Sequence, residues 1–237
     1  MHGIASRLYA VIDAEVMASR GMELREFAEG LRAAGVELVQ WRDKIGSPQE
    51  VLAGAVVLRE VFAGTDCRLM MNDRADLAVL GGFGGVHVGQ GDLSPEDAKA
   101  VVRRAMSHPS QNREGWGTRS LPRAEEFARR GEVWVGVSTH TEEQVLVAAA
   151  GCADYVAVGP VFATGTKLDA QAVIGLDGVR RARALTGKPI VAIGGITREN
   201  ARSVIAAGAD SVAVISGLLA PGETVEKVAR DFLEILG

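Results

Sequence analysis

The chain has 237 residues, of which 47% are hydrophobic and 24% charged, and its net charge is −4; this balance is typical of an ordinary globular protein. Aromatic residues make up 5% of the chain, and this scarcity, together with the acidic balance, argues against a nucleic-acid partner held by stacked bases. No apolar run approaches the roughly 20 residues that a membrane span needs, and the N-terminal residues lack the pattern of a signal peptide.

The two cysteines, Cys67 and Cys152, match no metal-ligand spacing and no disulfide framework. Each comes just before an apolar run, so we expect both to be buried structural thiols. Free thiols are typical of a reducing compartment, and we therefore expect a cytoplasmic protein without a membrane partner. The sequence leaves open whether the chain forms homo-oligomers.

Eight short runs are rich in strand-forming residues, and segments with helical spacing separate most of them. The predicted strands cover residues 8–13, 36–43, 67–73, 85–89, 133–139, 155–160, 189–195 and 211–217. Helical spacing is clearest in residues 23–35, 48–64, 175–187 and 198–208, and several of these segments end in a glycine suited to a left-handed C-cap.

The alternation of strand and helix predicts right-handed crossovers and a parallel sheet. Eight such units in a chain of this length match a (β/α)8 TIM barrel, and we predict one barrel domain spanning residues 1–237. An open doubly wound sheet is the alternative, but the glycines of "GGFGGVHVG" precede a strand instead of joining a strand to a helix. An arginine-rich stretch at about residues 107–132 follows the fourth strand, and we predict a surface insertion there, with a lid or subunit contact as the alternative.

The second strand ends in "QWRDK", at the end of the barrel where active sites of this fold are built. Side-chain alternation directs Gln40, Arg42 and Lys44 to one face, and Trp41 and Asp43 to the other. Facing the barrel mouth, the first three residues would offer an amide and two cations to one ligand. A charged strand end in solvent is one alternative, and a simple pairing of Arg42 with Asp43 is another.

Carboxylates also follow two neighbouring strands. Asn72 and Asp73 end the third run, and Asp92 follows the fourth. Each aspartate could be only a helix N-cap, although Ser94 is a better cap than Asp92. Paired carboxylates near phosphate-binding cations are also what Mg²⁺ requires, with substrate phosphates and water as its other ligands. We therefore predict a magnesium site at Asp73 and Asp92.

The seventh predicted strand ends in a glycine pair, Gly194-Gly195, and the eighth ends in Ser216-Gly217. Such ends favour anions because backbone N–H groups are accessible there. The sixth run leads into "TGTK", residues 164–167, which adds two hydroxyls and the charge of Lys167. The sequence thus predicts a backbone cradle for a monophosphate, and a second site for a diphosphate built from Arg42, Lys44, Lys167 and the paired aspartates.

Taken in order, these motifs resemble the thiamine-phosphate synthase family. The matching stretches are "QWRDK", "MNDRADLA", "GVHVGQGDL", "GVSTHT", "ADYVAVGPVFATGTK", "PIVAIGGIT" and "GADSVAVISG", and the likeness runs from about Leu8 to the C-terminus apart from the insertion. The resemblance implies a (β/α)8 transferase with Mg²⁺ as cofactor. Its two small-molecule substrates would be the diphosphate of 4-amino-5-hydroxymethyl-2-methylpyrimidine and 4-methyl-5-(2-phosphoethyl)thiazole, which give thiamine phosphate and pyrophosphate.

The resemblance also implies a role for each matching residue. Gln40 would touch the pyrimidine, and Ser138 would lie beside the reacting carbon and the leaving group. The diphosphate would be held by Arg42, Lys44, Asn72 and Lys167, the metal by Asp73 and Asp92, and the thiazole phosphate by Thr164, Thr166 and the backbone of Gly195, Ile215 and Ser216. The expected catalytic residues are Ser138, Lys167 and Arg42, while His140 is expected to be structural.

Two rival functions share this fold. One is a related thiazole tautomerase, which needs neither a diphosphate nor Mg²⁺ and lacks parts of the cationic and acidic set. The other is a non-catalytic barrel that senses phosphate ligands. Because the cationic and acidic residues are all present in this sequence, the synthase is favoured.

Overall fold

Eight parallel strands form a closed barrel in the computed structural model, which describes residue 4 and residues 6–107, 133–165 and 172–237. The strands follow one another around the barrel in chain order, and the eighth pairs with the first. Their bounds are β1 Leu8–Asp13, β2 Leu38–Arg42, β3 Arg68–Asn72, β4 Gly85–Val88, β5 Trp134–Thr139, β6 Tyr155–Val158, β7 Ile190–Ile193 and β8 Ser211–Val214. The predicted (β/α)8 barrel is therefore confirmed.

Helices cover the outside of the barrel and bury their apolar faces against it. In the part of the chain that the structure describes, they are α1 Ala14–Ser19, α2 Leu24–Ala34, α3 Pro48–Val61, α4 Ala75–Gly81, α5 Pro95–Ser107, α6 Glu142–Ala150, α7 Gly175–Leu185, α8 Ala201–Ala206 and α9 Val225–Leu236, with a 3-10 helix at Ser216–Leu218. None of these helices combines the length and the apolar character that a membrane crossing requires.

The strands separate two hydrophobic layers because successive side chains point alternately into the barrel and toward the helices. Trp41 faces outward, where its indole N–H donates to the Val51 carbonyl at 3.1 Å, while its neighbour Gln40 is buried on the inner side. The predicted alternation of "QWRDK" is thus correct at these two positions. The inner layer comprises Tyr9, Val11, Leu38, Met70, Tyr155, Ala157, Val191 and Ala213.

Most strand ends were predicted too late in the chain. β7 stops at Ile193 because Gly194 and Gly195 adopt φ values of +104° and +63°, which are incompatible with a strand. β8 stops at Val214, since the next residues form the 3-10 helix. The left-handed glycine was correct at Gly35, with φ +83°, and at Gly208, with φ +112°, whose backbone N–H donates to the Ile205 carbonyl at the end of α8. It was wrong for the two helical segments that end before their glycines, at Val61 and Leu185.

Two further predictions concern the insertion and the thiols. The insertion predicted at about residues 107–132 lies outside the described residues from 108 onward, so its helix from about Pro122 stays a prediction. Cys67 is buried, as predicted, but Cys152 is only partly buried because it follows the C-terminus of α6 at the surface. Neither cysteine forms a disulfide.

Candidate active site at the carboxyl end of the barrel

Two adjoining cavities open at the carboxyl end of the strands. The first, of about 430 Å³, is lined by most of the predicted polar residues, and we call it the polar cavity. The second, of about 570 Å³, is lined by the glycine-rich ends of β7 and β8, and we call it the glycine cavity. They share a wall made of Ser138, His140, Ala157, Ile193 and Ala213. Two ligands bound side by side would therefore meet at the end of β5.

The residues predicted to form the site, where they fall within the described part of the chain, all line one or both cavities. Those of the polar cavity are Gln40, Arg42, Lys44, Asn72, Asp73, Asp92 and Ser138. Those of the glycine cavity are Ser138, Thr164, Gly195, Ile215 and Ser216. Thr166 and Lys167 lie outside the described residues, so their roles stay predictions. Gly165, just before that segment, lines the polar cavity, and Val173, shortly after it, lines the glycine cavity.

Arg42 is held by a carboxylate that the sequence analysis did not single out. Asp13, at the end of β1, forms an ion pair with the Arg42 guanidinium and accepts a hydrogen bond from Val16 N at 2.9 Å as the N-cap of α1. The β1–β2 register places Asp13 directly opposite Arg42. Pairing with Asp43 is therefore wrong: the Asp43 carboxylate instead accepts from the backbone N–H of Gly46 at 2.7 Å. Asp13 is 2% exposed, so this pair is a rigid part of the cavity wall.

The two predicted metal-binding aspartates lie together beside Lys44. The Lys44 ammonium is 3.0 Å from Asp73, and Asp73 and Asp92 interact directly through their carboxyl groups. Burial, followed by the hydrogen bond and the charge of Asp73, raises the pKa of Asp92. Two carboxylates this close repel each other when both are ionised, and a bound cation would relieve that repulsion.

Neither aspartate is a simple helix cap. Asp73 adopts φ +60°, an uncommon conformation that aspartate tolerates better than most residues, and α4 begins two residues later with Arg74 as its N-cap. Asp92 accepts from Gly89 N at 2.8 Å, while the hydroxyl of Ser94 caps α5 by accepting from the backbone N–H of Asp97 at 3.1 Å. The N-cap alternative is thus wrong for both.

The glycine cavity depends on close packing between the loops after β6 and β7. A side chain at Gly194 would bring its Cβ within 2.5 Å of the Pro160 Cβ, and one at Gly195 would lie 2.5 Å from the Ala163 carbonyl oxygen. Phe162 N donates to the Gly194 carbonyl at 3.0 Å, which fixes the two loops together. The result is a wall of bare backbone, suited to a small anion.

Buried polar side chains form a continuous chain across the barrel interior, which sequence reasoning missed. The Gln40 amide nitrogen donates to the Tyr9 hydroxyl at 2.8 Å, and the Tyr9 and Tyr155 hydroxyls are 3.1 Å apart. The Tyr155 hydroxyl is 2.9 Å from His87 Nδ1, and His87 Nε2 is 2.8 Å from the Ser138 hydroxyl. This chain links Gln40 and Ser138, both predicted ligand contacts, through residues of three other strands.

His140 lies in the shared wall, and its contacts are with the backbone and with its own helix. His140 Nδ1 is 2.8 Å from the Gly159 carbonyl oxygen, and its backbone N–H donates to Gln144 at 2.7 Å. These contacts tie the end of β5 to the loop after β6. They agree with the structural role expected from the sequence.

The comparisons with known proteins point in one direction. Residues 8–107 and 116–218 match the family model described as thiamine monophosphate synthase. The thiamine-phosphate synthase of Koribacter versatilis is 45% identical over 97% of this chain and 95% of its own, and that of Chloroflexus aurantiacus is 38% identical over 97% and 92%. The solved thiamine phosphate pyrophosphorylase from Pyrococcus furiosus superimposes with a TM-score of 0.75 at 29% identity, covering 97% of this chain and 95% of that one.

Proposed function

We propose that this chain, which belongs to the thiamine monophosphate synthase family, is a thiamine-phosphate synthase. It joins 4-amino-5-hydroxymethyl-2-methylpyrimidine diphosphate to 4-methyl-5-(2-phosphoethyl)thiazole and releases pyrophosphate. The observation that carries the proposal is the pair of adjoining cavities with different chemistry, which meet at Ser138: one is lined by paired cations and carboxylates, and the other includes the glycine-rich backbone at the ends of β7 and β8.

Each substrate suits one cavity. The pyrimidine diphosphate fits the polar cavity, where Arg42 and Lys44 would bind phosphate oxygens and Gln40 would contact the ring. The thiazole phosphate fits the glycine cavity, where backbone at Gly195 and Ser216 would receive its phosphate. Their shared wall would bring the thiazole nitrogen close to the pyrimidine methylene carbon, and this proximity lowers the entropic part of the barrier.

The reaction breaks one bond and forms another without a protein nucleophile. Pyrophosphate departs with the electron pair of the methylene C–O bond, and the electron-rich aminopyrimidine stabilises the cation that remains. The thiazole nitrogen then donates its lone pair to the methylene carbon. The main task of the protein is to stabilise charge that develops on the leaving group, for which preorganised cations such as Arg42 and the Ser138 hydroxyl are suited.

The residues present fit Mg²⁺ as a cofactor. Among the described residues that line the polar cavity, four carboxylates (Asp13, Glu15, Asp73 and Asp92) accompany two cations, Arg42 and Lys44. These described residues by themselves would repel a diphosphate, and a divalent cation that came with it would offset the repulsion. Asp73 and Asp92 would hold the ion, with phosphate oxygens as further ligands. When bound, Mg²⁺ would neutralise charge on the departing pyrophosphate.

Pyrophosphate release by the purified chain tests the function. Release that requires both substrates, together with formation of thiamine phosphate, is the expected result, and chelation of Mg²⁺ by EDTA should abolish it. Binding of thiazole phosphate without any release would contradict the proposal and favour the tautomerase or the sensor. Calorimetry of pyrophosphate binding, with and without Mg²⁺, tests the cofactor separately: equal affinities would contradict the charge argument.

We propose a cytoplasmic setting for this reaction, supported by the two cysteines, which form no disulfide and fit a reducing compartment. Self-association stays a hypothesis from the sequence, and light scattering of the purified chain would decide it.

A further inference from the structure

The chain of buried polar groups between Gln40 and Ser138 has a defined direction. An amide nitrogen can only donate a hydrogen bond, so the Tyr9 hydroxyl accepts from Gln40. The proton of Tyr9 then has one acceptor among the contacts of that hydroxyl, the Tyr155 oxygen at 3.1 Å. Tyr155 in turn donates to His87 Nδ1 at 2.9 Å. A nitrogen that accepts carries no proton, so the proton of the neutral imidazole is on Nε2, and Ser138 accepts it at 2.8 Å.

Both phenols keep their protons, as this direction requires. Tyr9 and Tyr155 are fully buried, and burial raises the pKa of each phenol well above its ordinary value. Rings and backbone also hold the chain in place. The Tyr155 ring stacks on His87 at a centroid distance of 5.6 Å and meets Tyr9 edge to face at 6.0 Å. A Cβ at Gly136 would overlap the Tyr155 ring, so glycine at that position leaves room for the phenol.

We propose that Tyr9, Tyr155 and His87 are positioning residues that set the hydrogen-bonding polarity at both ends of the chain, leaving Gln40 with an acceptor oxygen and Ser138 with a donor hydroxyl for the ligand. The Gln40 nitrogen is engaged with Tyr9, and within the described part of the chain its carbonyl oxygen accepts no hydrogen bond. Ser138 accepts from His87, so its own proton is available to the shared wall of the two cavities.

This polarity matches the substrate, a step that rests on the proposed function. The amino group of an aminopyrimidine donates hydrogen bonds and needs an acceptor, which Gln40 would supply. The departing diphosphate is an acceptor and needs donors, one of which would be Ser138. The opposite polarity would offer a donor to the amino group and an acceptor to the diphosphate. His87, Tyr9 and Tyr155 would thus act on both ends of one substrate without touching it.

Histidine tautomers measured by two-bond ¹H–¹⁵N NMR on the ligand-free chain test the direction. His87 is expected to carry its proton on Nε2. His140 is an internal reference for the other tautomer, because its Nδ1 lies 2.8 Å from the Gly159 carbonyl oxygen, which can only accept. The chain has four histidines, so a His140→Gln variant assigns the signal of His140 and a His87→Gln variant assigns that of His87. A proton on Nδ1 of His87 in the unmodified chain would overturn the proposal.

Two variants extend the test. In Gln40→Glu, the carboxylate can only accept, so Tyr9 should donate to it. Each hydrogen bond between residue 40 and Ser138 should then reverse its direction, and the His87 proton should move to Nδ1. In Tyr155→Phe, His87 loses its donor and should no longer show a single tautomer. Trp134→Phe is the matched control, since the Trp134 and Tyr155 ring centroids are 6.4 Å apart but Trp134 does not belong to the hydrogen-bond chain. An unchanged His87 tautomer in both Gln40→Glu and Tyr155→Phe would refute the proposal.

Kinetics give a second readout. Loss of one oriented donor at the leaving group should lower kcat about tenfold in Tyr155→Phe, with KM for both substrates changed less than about threefold and the Trp134→Phe control within about twofold. A rise in KM at unchanged kcat would contradict a positioning role. The tautomers are measured without turnover. If the protein shows the expected tautomers but is inactive, the proposed synthase function is refuted, and the direction of the hydrogen bonds from Gln40 to Ser138 still stands.

Discussion

Replacement of Asp13 by asparagine tests whether the buried Asp13–Arg42 pair holds the polar cavity in shape. The substitution removes one charge and little else. Asparagine is as good an N-cap as aspartate, so the hydrogen bond from Val16 N at 2.9 Å can persist. What is lost is the counter-charge of Arg42, whose side chain is only 13% exposed.

The expected loss of stability follows from the burial of both partners. Removal of one partner from a buried ion pair costs about 3–5 kcal/mol, because the other charge stays buried without compensation. The partial exposure of Arg42 favours the lower end, about 3 kcal/mol. For a domain of this size, each kcal/mol shifts the melting temperature by about 2–4 °C, so Asp13→Asn should lower it by about 6–12 °C.

Thermal and urea unfolding followed by circular dichroism measure this change. The matched control is Asp177→Asn, which removes one partner of the exposed pair with Arg180, where the side chains are 79% and 57% exposed. Exposed pairs contribute about 0–1 kcal/mol, so the control should shift the melting temperature by no more than about 4 °C. An Asp13→Asn chain that melts no lower than the control would refute the view that Asp13 anchors Arg42.

Four other substitutions give separate tests. Gly194→Ala forces a left-handed residue against Pro160, so the unfolding free energy should fall by about 2 kcal/mol or more in a urea titration; an unchanged midpoint would contradict the packing described. Lys167→Ala and Asp73→Ala should each lower turnover by about 100-fold, as expected for loss of one preorganised electrostatic group, and near-normal turnover in both would exclude these site roles. Burial and the neighbouring Asp73 raise the pKa of Asp92, so the metal-free fold loses stability as pH rises and Asp92 becomes ionised. Asp92→Asn should therefore melt at a slightly higher temperature at neutral pH and should no longer be stabilised by Mg²⁺. Stabilisation by Mg²⁺ equal to that of the unmodified protein would contradict a metal role.

The barrel was predictable because its main signal is local. Each strand is a short apolar run, each helix repeats every three to four residues, and eight alternations leave few other topologies. The strand ends were harder to predict. "AIGGIT" and "VISG" continue the apolar pattern, and only the backbone angles reveal that Gly194 and Gly195 leave the strand.

The interior polar chain could not be derived from the sequence in the same way. Strands of a parallel barrel are apolar on both faces. The sequence therefore does not show whether Tyr9, His87 and Tyr155 point into the barrel or toward the helices, in the runs "LYAVID", "GVHVG" and "YVAVGP". Partners also come from distant parts of the chain: Tyr9 and Tyr155 are 146 residues apart. A tyrosine or histidine at an inward position of a barrel strand is nevertheless a usable signal, because a buried polar group needs a partner.

The two cations of the polar cavity differ in how firmly they are held, and this difference predicts how each tolerates exchange. Arg42 is nearly buried against Asp13, whereas the Lys44 side chain is 46% exposed and paired to Asp73 at 3.0 Å. A guanidinium can bind Asp13 and a phosphate oxygen at the same time through its several N–H groups, which an ammonium cannot reproduce in the same geometry. Arg42→Lys should therefore lower kcat/KM for the pyrimidine diphosphate by at least about tenfold, while Lys44→Arg should stay within about threefold. Equal losses in the two variants would mean that only the charge, and not the buried anchoring of Arg42, matters to the site.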